Sequence, residues 1–172
     1  MDDTSTSMSI DDARLEHLAT DVGDELKRKG WVLTVAESCT GGWVAKTITD
    51  VAGSSAWFDR GYVTYSNAAK QDLLGVSHAT LERHGAVSEE TVRAMAGGAL
   101  TRSGADVALA VSGVAGPDGG TDAKPVGLVW FAWALRTGFV ISRAERFPGD
   151  RDAVRRAAVV TVLDGVLRQV GH

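Results

Sequence analysis

The chain has 172 residues, 44% of them hydrophobic and 23% charged, with a formal net charge of −4. That is enough for one domain with a substantial core, and the acidic balance argues against a duplex-DNA binder, which needs a basic surface to neutralise phosphates. The lone Cys39 excludes an internal disulfide or a multi-cysteine metal cluster, and no leader pattern or apolar run of about 18 residues is present. The expectation is therefore a cytoplasmic protein with no membrane or nucleic-acid partner.

Residues 1–10 are rich in Ser, Thr and Asp and read as a flexible tail, leaving 11–172 as a single domain. Leu15, Leu18, Ala19, Val22 and Leu26 recur at helical spacing, and Gly30 stands where a C-terminal cap belongs. Residues 32–36 form an apolar strand. A small-residue turn follows, Glu37-Ser38-Cys39-Thr40-Gly41-Gly42, and then a short helix over 42–50. Residues 58–65 alternate as a strand, and 67–74 and 78–83 read as short helices. Ser88 followed by Glu89 and Glu90 opens a longer helix closing near Gly104.

Residues 107–111 are continuously apolar, as in a strand buried on both faces. After them comes a glycine-rich loop from Ser112 through Gly113, Gly116 and Gly120 to Pro125. A hairpin of strands 128–135 and 139–146 turns at Arg136-Thr137-Gly138, and Asp150 caps a final helix. Single strands separated by helices, then a hairpin, predict an α/β fold: a three-layer α/β/α sandwich whose mixed sheet is mostly parallel, with one antiparallel strand.

Ligands of such sheets sit beyond the carboxyl ends of the strands. There the sequence places Ser38, then Tyr65, Asn67 and Lys70, then the glycine loop. A serine between a strand and a helix serves as a nucleophile, an anion ligand or simply an N-cap. As a nucleophile it needs a base. The four histidines are poorly placed: His17 is on the first helix, His78 and His84 flank a polar one, and His172 is terminal. A buried lysine can substitute if desolvation leaves its amine neutral. Of five lysines, Lys70 best fits, because it follows a strand end and has Tyr65 and Asn67 nearby to orient it. Cys39 is expected to face another direction. Backbone N–H groups of Thr40, Gly41 and Gly42 are expected to hold the developing oxyanion. Arg151, in the first turn of the last helix, suits either a phosphate or a pairing with Asp150 or Asp152. Asp118 and Asp122 lack calcium-loop spacing, so no metal site is expected.

The ordered set Ala36-Glu37-Ser38-Cys39-Thr40-Gly41-Gly42, Gly61-Tyr62-Val63-Thr64-Tyr65-Ser66-Asn67-Ala68-Ala69-Lys70, Ser112-Gly113-Val114-Ala115-Gly116-Pro117, Lys124-Pro125-Val126-Gly127 and Gly149-Asp150-Arg151 resembles the C-terminal domain family of the competence/damage-inducible protein CinA, whose members also occur alone as nicotinamide mononucleotide amidohydrolases. The resemblance spans about residues 11–170. It implies a homo-oligomeric hydrolase that needs no cofactor or metal and deamidates nicotinamide mononucleotide to nicotinate mononucleotide and ammonia, in pyridine nucleotide salvage. It also implies Ser38 as nucleophile, Lys70 as base and Tyr65 as its assistant. Thr40, Gly41, Gly42, Asn67, Ser112, Gly113, Gly116 and Arg151 would contact the substrate. Asp118 stands where the family pattern leads one to expect Gly. The competing expectation is a catalytically silent nucleotide-binding or interaction module of the same fold.

Overall fold

The computed structural model describes residues 10–171; the tail expected over 1–10 lies outside them save for Ile10, which packs on the core. Helix α1 (Asp12–Lys29) is capped by the Asp11 carboxylate and ends, as expected, at Gly30 in the left-handed conformation. Strand β1 (Leu33–Glu37) leads through the serine turn into α2 (Trp43–Thr49), and β2 (Phe58–Val63) follows. Helices α3 (Asn67–Leu74), α4 (His78–His84) and α5 (Glu89–Ser103) precede β3 (Val107–Gly113). The hairpin β4 (Leu128–Leu135) and β5 (Val140–Arg146) leads to α6 (Arg151–Val170). Strand β1 starts one residue later than expected because the Val32 N–H is taken by the Asp106 carboxylate. Strand β3 runs on to Gly113 because Ser112 and Gly113 pair with Trp130 and Val129.

The sheet order is β2-β1-β3-β4-β5. Strand β1 pairs in parallel with β2 and β3, and β4 is antiparallel to both β3 and β5. Thus β4 alone runs against the other strands, as expected, although the pairings divide evenly between parallel and antiparallel.

Period-two patterning sorts the central strands between two cores. Val35, Leu109, Val111, Val129, Phe131 and Trp133 face α1, α2 and α6. Ala36, Ala108, Ala110, Ala132 and Ala134 face the other way, onto α3, α4 and α5. The small alanines let α5 lie close to the sheet, and this α5 side is where α3 is held. Helices on both faces complete the three-layer sandwich. Chain connections leave β1 toward β2 but return to β3 on its other side, so the strand order reverses at β1. A crevice opens at the carboxyl ends of β1 and β3, where such sheets bind ligands.

Candidate active site

The first wall of the crevice is the serine turn. The Ser38 N–H donates to Val111 O at 3.0 Å, carrying the β1–β3 ladder one residue beyond Glu37 and setting Ser38 beside Ser112. Gly41 (φ 60°) and Gly42 (φ 101°) then reverse the chain in left-handed conformations that side-chain-bearing residues rarely adopt. The turn is pinned from inside by Glu37, whose side chain is buried. Its carboxylate accepts from Thr40 Oγ1 at 2.6 Å, Val44 N at 2.9 Å and Ala45 N at 3.1 Å. From the other side the Arg155 guanidinium donates to the carbonyls of Cys39 and Thr40, both at 3.1 Å, and lies over the Trp43 ring.

The second wall brings the lysine. Ser66 caps α3 through Ala69 N, which directs Lys70, one turn in, back beneath the sheet edge. Lys70 is 1% exposed. Its Nζ lies 2.9 Å from Ser38 Oγ, 2.7 Å from Thr64 O and 3.4 Å from Tyr65 O. Thr64 is itself tied to the serine strand, its N–H donating to Glu37 O at 2.8 Å. No carboxylate makes an ion pair with Lys70 among the described residues. Desolvation therefore dominates, lowering its pKa from 10.5 to about 8. Three acceptors suit an ammonium. With the amine neutral, its two N–H groups can stay on the two carbonyls while the lone pair meets the Ser38 hydroxyl.

The third wall is the glycine loop, and the mouth lies between that loop and Tyr65. Arg151 spans the mouth, donating to Gly116 O at 2.8 Å and to Tyr65 Oη at 3.1 Å. Asp150 is occupied as the α6 cap and Asp152 pairs with Arg156, so neither neutralises Arg151. Ser38, Tyr65, Lys70, Ser112, Gly113, Gly116 and Arg151 line one pocket of about 300 Å³. Ser112 is buried there, and its hydroxyl has no hydrogen-bond partner among the described residues.

Four expected site residues lie outside that lining: Thr40, Gly41, Gly42 and Asn67. The Gly41 N–H donates to Ser38 O, and the Glu37 carboxylate takes the Val44 and Ala45 N–H groups at the amino end of α2. Asn67 begins α3 on the exposed side. Cys39, expected to face away, lines the pocket. Its thiol is pushed up to about 12, chiefly by burial, which keeps it protonated and a poor nucleophile near neutrality. Asp118 also joins the wall. Sequence reading gave no role to Glu37 or Arg155. The signal for Glu37 was a carboxylate closing a buried strand seven and eight residues before N–H groups that it caps; Arg155, 116 residues from Cys39, left none.

The sequence profile of the CinA C-terminal domain matches residues 15–170. The chain belongs to the CinA C-terminal domain family. It is 59% identical over 160 residues to the nicotinamide-nucleotide amidohydrolase PncC of Enterobacter agglomerans, covering 93% of this chain and 98% of that one. It is 58% identical over 158 residues to PncC of Escherichia coli strain K12, covering 92% and 96%. Among solved structures, the competence/damage-inducible protein CihA of Agrobacterium tumefaciens superposes with a TM-score of 0.89 at 45% identity, covering 97% of this chain and all of that one.

Proposed function

We propose that this protein is an amidohydrolase that converts nicotinamide mononucleotide to nicotinate mononucleotide and ammonia by a serine–lysine mechanism. The observation that carries the reading is the 2.9 Å contact between Lys70 Nζ and Ser38 Oγ in a buried pocket. Relatives named for this activity match almost the full chain.

Neutral Lys70 takes the Ser38 proton as Oγ attacks the carboxamide carbon, giving a tetrahedral intermediate. The Ser112 hydroxyl, beside Ser38, is a donor available to its oxyanion. Lys70, now an ammonium held by the Thr64 and Tyr65 carbonyls, returns the proton to the departing amine, which leaves as ammonia. Water attacks the acyl-enzyme by the same proton path, releasing the carboxylate and restoring Ser38. Arg151 at the mouth supplies an unneutralised guanidinium for the phosphate, with the Tyr65 phenol holding it in place. The product would feed pyridine nucleotide salvage in the cytoplasm, in the homo-oligomeric form the family resemblance implies. No described helix is long and apolar enough to cross a membrane.

The test is ammonia release from nicotinamide mononucleotide, with the acid product identified, set against the dephosphorylated riboside. Preference for the mononucleotide supports the reading. Binding without ammonia release would leave the silent nucleotide-binding module instead, and equal use of both substrates would indicate a broader amidase.

A further inference from the structure

We infer that Glu37 and Arg155 are paired positioning residues that hold the Ser38 turn in its attacking geometry; the inference rests on the proposed role of Ser38. A strand-to-helix turn has exposed N–H groups on its helix side and exposed carbonyls on its strand side. Here both sets are taken by charged side chains from within the protein. Glu37 takes the donors of Thr40, Val44 and Ala45. Arg155 takes the carbonyls of Cys39 and Thr40. Ser38 lies between the residue that provides the carboxylate and the first carbonyl that the guanidinium holds.

Glu37 reaches the base as well. Its backbone carbonyl accepts the Thr64 N–H at 2.8 Å, and the Thr64 carbonyl accepts Lys70 Nζ at 2.7 Å. One residue thus registers both partners of the dyad, the nucleophile through its side chain and the lysine through its main chain. Neither Glu37 nor Arg155 lines the pocket, so neither is placed to touch substrate. Their effect is on the distance between Ser38 Oγ and Lys70 Nζ, and an ångström of error there costs about a hundredfold in rate.

Glu37→Gln keeps the shape but turns an amide NH2 toward either the Ala45 or the Val44 backbone N–H, so one hydrogen bond becomes a repulsion. Arg155→Ala leaves the Glu37 cap of α2 intact, freeing the two carbonyls and removing the contact with the Trp43 ring, which supplies a second variant should the buried substitution prevent folding. Each is assayed at a temperature where circular dichroism shows the variant fully folded. Turnover of nicotinamide mononucleotide and the Kd for nicotinate mononucleotide are measured together. For Glu37→Gln the expected result is kcat lowered by roughly a hundredfold. For Arg155→Ala it is roughly tenfold, with Kd within about twofold for both. The pH inflection should not move, because Lys70 owes its lowered pKa to desolvation. Wild-type kcat in the folded variants would overturn the inference and show that the two residues serve stability alone, as would a fall in kcat matched by loss of product binding. If the wild-type protein itself releases no ammonia, the functional reading has failed. The positioning claim is then judged by the rate at which a fluorophosphonate labels Ser38, which the substitutions should slow by similar factors.

Discussion

Replacing Lys70 by Met removes the proposed base while keeping a long side chain in its channel, and the consequences can be worked from the site. With a pKa of about 8, about 1% of Lys70 is neutral at pH 6, about a tenth at pH 7 and half at pH 8. The base must be neutral to accept the serine proton, so kcat/KM of the wild type should climb roughly fiftyfold from pH 6 to pH 8 and level off above about pH 9. Stability moves with the same group. Its folded pKa lies below the ordinary lysine value of 10.5, so the fold disfavours the ammonium. That cost is fully present below about pH 8 and is relieved as pH rises through 8 toward 10.5, amounting to about 3 kcal/mol. Met abolishes the cost but leaves the Thr64 carbonyl unpaired, at about 1–3 kcal/mol, and frees the more weakly held Tyr65 carbonyl. The two nearly offset each other. Lys70→Met should therefore lose at least about 10³-fold in kcat/KM while its thermal midpoint at pH 7 stays within a few degrees of wild type. Initial-rate ammonia assays from pH 6 to 9.5 and calorimetry on both proteins test this. A flat wild-type pH profile, an active Met variant, or a thermal midpoint that collapses would refute the reasoning and make Lys70 a structural residue.

Further outcomes follow from the same geometry. Ser38→Ala should abolish turnover yet bind product normally by calorimetry, whereas Cys39→Ala should keep turnover because its buried thiol stays protonated; the reverse pattern would reassign the nucleophile. Arg151→Ala removes the cation at the mouth, and a charge-assisted contact of about 1.5–3 kcal/mol corresponds to a roughly ten- to more than hundredfold rise in KM for the mononucleotide. Residual activity on the riboside should change little, and equal losses on both substrates would make Arg151 a fold residue. Gly98→Ala places a methyl group against the Leu74 carbonyl at the end of α3, so thermal denaturation should show a loss of about 1–3 kcal/mol. Because α3 carries Lys70, kcat should fall with it.

Much of this architecture lay in local pattern. Caps at Ser88 and Asp150 mark helix starts because each side chain satisfies a nearby backbone donor, and the glycines after α1 and α5 mark the ends. Ser38 and Lys70 were legible as a pair because a serine nucleophile needs a base and histidines were badly placed. What the sequence by itself determined was therefore the elements, their order and the chemical types present at the strand ends. Only tertiary packing decided how buried Lys70 is, and hence its pKa, since desolvation depends on everything that covers the amine. Packing also turned Cys39 into the pocket, set Arg151 against Tyr65, 86 positions away in the sequence, and gave the Val44 and Ala45 N–H groups of α2 to a buried side chain. That last outcome shows the physical reason most plainly. An N–H at a helix start is an open donor in the sequence, but in the fold it belongs to whichever buried acceptor would otherwise stand unpaired, and here that acceptor is Glu37.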